Sequence, residues 1–441
     1  MDRSCLGTEK KKQNTNEEAK INVIQQWPAG SRTSDKVPTE FVYTEDGSWE
    51  TLKWVTELVT DYLSALRAHI TETLTAVYGP TFLKRSKLKY ILTVPAIWSE
   101  KAKETHLEAA GKAGYGSKEE LDLISEPQAA SIAAFRSLGH GPLCRYDCFT
   151  VVDCGGGTVV ILFQAVYPPK LPDYRAQSID LISYKRDDMR NIFDPTIDSI
   201  VALISAQIKS AAVAAQRVKM ILLVGGFGGS PYLRRRVQEW VDKEKYTIEV
   251  AQPPDAWTSI ARGAVMHGIE SHTIKDRIAR TSYGVYVDVR FNEGIHPKYH
   301  VDNYHEEYDG ILRVRDQMEW FIKKGVRING IKSVFRVTYC QHLETEEFAD
   351  PGDLKITDAL YAYNGDDTPA KPSDYGVRPL CDLETDLNSI LKEKWKVRNK
   401  TDGTSYFMVE FDFVMELEGE KLLFGLEIDG VKYSGVSATF H

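Results

Sequence analysis

Apolar residues between Lys53 and Tyr78 recur three and four positions apart (Val55, Leu58, Val59, Tyr62, Leu63, Leu66, Ile70, Leu74, Val77), which predicts one long amphipathic helix closed by Gly79-Pro80. The apolar run from Lys89 to Val94 reads as a buried strand, and Ser99 stands where a hydroxyl caps the helix that follows to about Ala113. Leu121 to Glu126 reads as a second strand, after which Pro127 opens an Ala-rich helix to about Leu138. Two apolar segments, Asp147 to Asp153 and Thr158 to Val166, flank Gly155-Gly156-Gly157 and predict a hairpin with a glycine apex. Helical spacing returns over 191–216. A strand at Val218 to Val224 enters a glycine turn, Gly225 to Gly229, and a helix follows at Pro231 to Val241. Thr247 to Val250 and Trp257 to Ile269 add a short strand and a last helix. Strands alternating with helices in this way predict α/β architecture with helix-covered sheets.

The period changes near Lys275. Tyr283 to Val289, Val334 to Tyr339, Ala359 to Tyr363, Phe407 to Leu417 and Leu422 to Ile428 alternate as strands do. Glu410 to Glu418 turns through Gly419-Glu420 into Lys421 to Ile428, a hairpin with one wet face, so an antiparallel β-sandwich is expected from about residue 276. A length of 441 residues fits two or three domains at roughly 150 residues each.

Composition narrows the function classes. With 42% hydrophobic residues and 55 Lys and Arg against 63 Asp and Glu, a net charge of −8, the chain reads as an ordinary globular protein; it has no basic stripe suited to nucleic acid. Six cysteines are too sparse for a disulfide framework, and no run of 18 apolar residues suggests a membrane span, so a reducing, cytoplasmic setting is expected. Cys144, Cys148 and Cys154 lack a fourth zinc ligand, and His296, His300 and His305 fall in a polar stretch that reads as a solvated loop; no metal site is expected.

Two glycine segments carry the candidate chemistry. Val151-Val152-Asp153-Cys154-Gly155-Gly156-Gly157-Thr158 ends a buried strand in a carboxylate and then bares backbone amides, which suits a phosphate or, equally, a ligand-free hairpin. Val224-Gly225-Gly226-Phe227-Gly228-Gly229-Ser230-Pro231 enters a helix N-terminus whose amides favour an anion and whose missing side chains let a flat base or ribose approach.

In chain order, Ile124-Ser125-Glu126-Pro127-Gln128-Ala129-Ala130, the Asp153 hairpin and the Val224 turn resemble the 70-kDa heat-shock chaperones of the actin and sugar-kinase ATPase superfamily, above all their divergent, largely fungal heat-shock-70-like members. Segments 27–40, Leu92 to Ser99, Gln252 to Trp257 and Arg262 to Val265 match too, so the resemblance covers most of 22–270. It implies a disordered tail (1–21), two incomplete actin-like ATPase lobes (22–145 and 146–275) and a substrate-binding-like β-sandwich (276–441). It also implies catalytic positions at Glu126 and Asp153. Nucleotide contacts are implied at Gly155, Gly156, Gly157, Thr158, Gly225, Gly226, Phe227, Gly228 and Gly229, with ATP or ADP as ligand.

Departures from the family pattern weaken the chemistry. Cys5-Leu6-Gly7-Thr8 is the sole trace of the first phosphate hairpin and is expected to be a chance match in the tail. Val160 replaces the hairpin's closing Asp, and Gly229 replaces an Arg that packs on adenine. The segments after Asp46 and after Val166 are expected to be shortened, and no helical lid is expected after the last strand. Positioning and charge stabilisation are nearly all of phosphoryl-transfer catalysis. The expectation is a degenerate heat-shock-70-like protein with weak or no ATP hydrolysis, ATP or ADP held weakly, Mg²⁺ poorly held, and Glu126, without acidic partners, more simply read as a plain strand-end carboxylate. It would bind a protein or small-molecule ligand at the β-sandwich or cleft, without nucleic acid or membrane. The alternative is an enzyme of small-molecule secondary metabolism that reuses the cleft.

Overall fold

A computed structural model of the protein describes residues 5–7, 21–23, 55–138, 148–155, 159–165, 186–213, 216–269, 276–296, 303–305, 308–329, 332–345, 354–390, 392–433 and 436–441. The chain divides into two compact units, Met1–Ile274 and Lys275–His441.

The first unit begins with β1 (Cys5–Gly7) paired antiparallel to β2 (Ile21–Val23). This corrects the disorder expected at residues 5–7 and 21. The rest of the expected tail, residues 1–4 and 8–20 with Thr8 among them, lies outside the described residues. Three-residue strands leave no periodicity to read, and their pairing is non-local. Helix α1 (Val55–Tyr78) stops at Gly79, whose φ of +81° suits a residue without Cβ, and Pro80 opens a further short helix, α2 (Pro80–Arg85). Strand β3 (Ile91–Val94) leads to α3 (Glu100–Lys112), capped by Ser99, whose Oγ accepts the Ala102 N–H at 3.2 Å. Strand β4 (Asp122–Ser125) runs parallel to β3 and passes directly into α4 (Glu126–Leu138). Leu63, Val94, Leu107, Ala110, Leu121 and Leu123 close a core between these elements.

The chain continues as β5 (Cys148–Cys154), β6 (Val159–Ala165), α5 (Arg186–Val213), β7 (Val218–Val224), α6 (Pro231–Lys243), β8 (Glu249–Ala251) and α7 (Ser259–Ile269). The sheet order is β6-β5-β7-β8; β5 and β6 form the antiparallel hairpin, and β7 and β8 are parallel to β5. Val152, Cys154, Ile221 and Leu223 face α5 and α6, while Phe149, Val151, Leu222 and Val224 face α4. Burial on both faces is why β5 and β7 read as largely apolar runs, interrupted by Thr150 and Asp153 in one and Lys219 in the other. Phe193–Val213 of α5 is long and apolar enough to cross a membrane, but Ile197, Ile200, Ile204 and Ile208 along it are spent on this core. Helices α4 and α7 meet at backbone distance: a Cβ at Gly263 would collide with the Ala129 carbonyl, which explains the Ala-rich sequence of α4.

The second unit contains β9 (Asp276–Ile278), β10 (Ser282–Arg290), β11 (Asn303–His305), β12 (Leu312–Ile322), β13 (Arg327–Asn329), β14 (Lys332–Glu344) and β15 (Lys355–Tyr363). It continues through β16 (Arg378–Asp386), β17 (Lys396–Asn399), β18 (Ser405–Glu418), β19 (Lys421–Ile428), β20 (Val431–Tyr433) and β21 (Val436–Phe440). One sheet runs β11-β12-β10-β15-β16-β21, the other β14-β18-β19-β20 with β17 also on β18, and all these pairings are antiparallel. Val285, Leu360 and Leu383 of the first share a core with Phe413, Met415 and Leu422 of the second. The β18–β19 hairpin is less wet than its alternation predicts. Glu416 is 9% exposed because Lys332 and Lys432 reach it at 2.6 and 2.7 Å, and the turn residue Glu420 is buried against Arg280 at 3.1 Å.

Candidate functional site

The two glycine segments meet at the ends of β5 and β7. Asp153, 6% exposed, is in register with Val160 on β6 and with Val224 on β7, so the hairpin offers one carboxylate opposite an isopropyl group. Gly225 has φ +87°, and a Cβ there would collide with the Asp153 carboxylate and the Cys154 carbonyl. That carbonyl accepts the amides of Phe227 at 2.9 Å and Gly228 at 3.2 Å, binding the turn to the strand end. A Cβ at Gly228 would in turn strike the Val224 carbonyl. The remaining bonds close the turn on itself: Gly225 N donates to Ala256 O at 3.0 Å, Gly229 N to Gly225 O at 3.2 Å and Ser230 N to Phe227 O at 2.9 Å. Gln252 Nε2 donates to the Gly228 and Ser230 carbonyls at 2.6 and 3.2 Å, and Ser230 Oγ caps α6 by accepting from Leu233 N at 3.4 Å.

This geometry revises how the turn works. Five of its amides donate within the protein, so the expected row of outward donors for a phosphate is largely consumed, and two of its glycines are required by close backbone contacts. The Phe227 ring stacks on Phe193 of α5 with centroids 6.0 Å apart and anchors the turn to the core. Two positions face outward. Trp257, 41% exposed, lies over Gly226, where a Cβ would come within 2.6 Å of ring carbon Cζ3; Gly229 is exposed, with nothing nearer to its Cβ position than 3.6 Å. Trp257 and Gln252, which the sequence offers only as part of a matching segment, pack against the turn because the loop before α7 folds back onto it.

Glu126 is the first residue of α4, half-buried, at the end of β4. Gly155 follows β5 directly, while Gly156, Gly157 and Thr158 lie outside the described residues. Burial, with a smaller contribution from the neighbouring Asp153 charge, pushes the Cys154 thiol up to about 12, so it remains protonated and unreactive. Cys148 donates to Gln216 Oε1 at 2.8 Å, and His296 Nδ1 accepts the Asn292 amide at 2.9 Å; Cys144, His300 and neighbouring Asp302 and Glu306 lie outside the described residues. Mg²⁺ keeps several waters and is held through one or two carboxylates plus substrate phosphates, and at this register of the hairpin Asp153 is the one carboxylate, opposite Val160. Among the described residues no three His, Cys, Asp or Glu side chains are grouped as metal ligands.

Residues 277–439 match a family described as a domain of unknown function, DUF8568. The chain is 38% identical to heat shock 70 kDa protein 12A of Mus musculus over 112 residues, which is 25% of this chain and 16% of that protein. It is 36% identical to heat shock 70 kDa protein 12A of Homo sapiens over 111 residues, again 25% and 16%. Heat shock 70 kDa protein 12B of Homo sapiens is 29% identical over 199 residues, 45% of this chain and 26% of that protein. The chain thus spans about a quarter or less of the length of these relatives. Over part of its length it is related to heat-shock-70-like proteins of the actin-like ATPase superfamily.

Proposed function

We propose that the protein is a degenerate heat-shock-70-like binding protein, in which actin-like ATPase lobes hold ATP or ADP weakly, hydrolyse it poorly or not at all, and serve a partner-binding role in the cytoplasm. The observation that carries this reading is the register of the β5–β6 hairpin: Asp153 faces Val160, so the strand end retains one carboxylate and lacks a second to share a cation or orient water. The partial relation to heat-shock-70-like proteins supports the nucleotide assignment, and the retained glycine turn against Asp153 supports its place in the fold. Glu126 and Asp153 are then remnants of the catalytic positions, and the protein or small-molecule ligand engages the β-rich unit or the cleft.

Calorimetric titration with ATP and ADP, with and without Mg²⁺, tests the proposal. Weak binding insensitive to Mg²⁺, with no phosphate release, is the expected result. Turnover comparable to an intact chaperone, abolished by Asp153→Ala, would overturn it.

A further inference from the structure

Asn-Gly occurs twice in the sequence, at Asn329-Gly330 and Asn364-Gly365. Gly330 lies outside the described residues, whereas the second pair follows directly on β15, where the chain leaves the sheet. Asn364 is exposed. At Gly365 a Cβ would lie 2.4 Å from Tyr363 Cζ, so the packing of that ring keeps the position bare of a side chain. The Gly365 amide donates to no backbone carbonyl among the described residues.

Two side chains reach this pair from other strands. Lys324, just past the end of β12, donates from Nζ to the Asn364 backbone carbonyl at 2.8 Å and to Asp366 Oδ1 at 2.8 Å. Its charge holds the Asp366 carboxyl below the usual carboxylate range, so the partner that steadies the ammonium stays ionised. Thr281, just before β10, donates from Oγ1 to Asn364 Oδ1 at 3.0 Å. The ammonium therefore sits on the oxygen of the peptide bond joining Asn364 to Gly365, and the hydroxyl sits on the oxygen of the side-chain amide. Electron withdrawal at the first oxygen acidifies the Gly365 N–H. A donor at the second favours attack on Cγ, because negative charge grows on Oδ1 as the new bond forms.

We propose that Asn364 is a site of spontaneous deamidation, activated by Lys324 and Thr281. Hydroxide removes the Gly365 amide proton, and the nitrogen bonds to Asn364 Cγ while the Cγ–Nδ2 bond breaks. The departing nitrogen takes a proton from water and leaves as ammonia, which regenerates the hydroxide. Water then opens the cyclic imide at either carbonyl, giving aspartate or isoaspartate. A neutral amide next to Asp366 and Asp367 thus becomes a carboxylate, and in the isoaspartyl product the main chain gains a methylene. The site lies in the β-rich unit and owes nothing to the nucleotide reading.

Ageing the full chain at mildly alkaline pH, followed by peptide mapping with mass spectrometry, tests it. Aspartate and isoaspartate should accumulate at position 364 in the folded protein. Lys324→Met should slow the conversion about tenfold and Thr281→Val about threefold, whereas Lys324→Arg, which keeps the charge, should retain most of the rate. In urea the wild type and all three variants should react alike, since the two donors act only when the fold delivers them. Should Lys324→Met lower the melting temperature, Thr281→Val decides in its place, because it removes a single hydroxyl without changing the shape. An Asn364 that survives in the folded chain long after it has reacted in urea would overturn the site. Equal rates in folded wild type, Lys324→Met and Thr281→Val would overturn the activation.

Discussion

Residues 1–274 carry 33 Lys and Arg against 33 Asp and Glu, whereas residues 275–441 carry 22 against 30, so the entire net charge of −8 belongs to the β-rich unit. The interiors differ in the same sense. In the first unit, sheet and helices close through bare backbone: Gly263 on Ala129, Gly228 on Val224, Gly225 on Asp153. In the second, charged side chains pair across and beside the β14-β18-β19-β20 sheet, with Glu416 between Lys332 and Lys432, Arg336 on Glu427 at 3.1 Å and Lys394 on Asp429 at 2.6 Å. Close-packed interiors respond to volume, and partly exposed ion pairs respond to pH and salt. The two units should therefore be separable by the kind of perturbation each resists.

The largest effect is expected at the α4–α7 contact. Gly263→Val forces the helices apart, because the new carbon cannot share space with the Ala129 carbonyl, and overpacking of this kind should cost on the order of 3 kcal/mol. In differential scanning calorimetry the transition of the first unit should fall by many degrees while that of the second stays in place. A single transition that moves as a whole, or no shift at all, would break the contrast between the units.

Acid acts on the second unit. Hydrogen bonds from the Arg313 guanidinium hold the Asp309 carboxyl down at about 2, aided by the Ile311 amide against a smaller push from burial. For Glu416 burial pushes upward, but the Lys332 and Lys432 ammonium groups overcome it and leave the carboxyl below its ordinary value. A group depressed on folding contributes stability that is complete above its unfolded value, and loses it as pH falls through the folded one. The β-rich unit should therefore weaken between about pH 4.5 and pH 2. At neutral pH, Asp309→Asn should cost about 1 kcal/mol, discounted because a third of that side chain is exposed. Urea melts of Asp309→Asn and Glu416→Gln across that range should lie closer to flat than wild type; parallel curves for all three proteins would refute the assignment.

The division between what could be read in advance and what could not follows the same physics. Helix α3 was legible because a cap is local: Ser99 and the Ala102 amide that donates to it lie three residues apart. Strands β5 and β7 were legible because burial on both faces leaves a largely apolar run without helical spacing. The β1–β2 ribbon, the second face of the β18–β19 hairpin and the place of Trp257 over the turn were not. Each depends on a partner distant in sequence, as when Lys332 meets Glu416 or Trp257 covers Gly226. Likewise, the glycine turn announced itself by composition, yet only its hydrogen bonds to the carbonyls of Cys154, Gly225, Phe227 and Ala256 reveal that most of its donors are used internally.

The smallest effect has the opposite sign and concerns how each interior treats a lone polar group. In the second unit Asp358 keeps a donor, the Tyr339 hydroxyl, although burial pushes its carboxyl above the ordinary value; ionising it therefore works against folding as pH rises past that value. In the first unit Thr150, fully buried in β5, has its Oγ1 without a hydrogen-bond partner. A hydroxyl that gave up water for nothing is a net cost, and a methyl of the same shape removes it. Thr150→Val should accordingly raise the stability of the first unit by about 0.5–1 kcal/mol, read as a higher urea midpoint with an unchanged slope. A lower midpoint would mean that the hydroxyl is bonded after all and that this interior tolerates polarity as the other does.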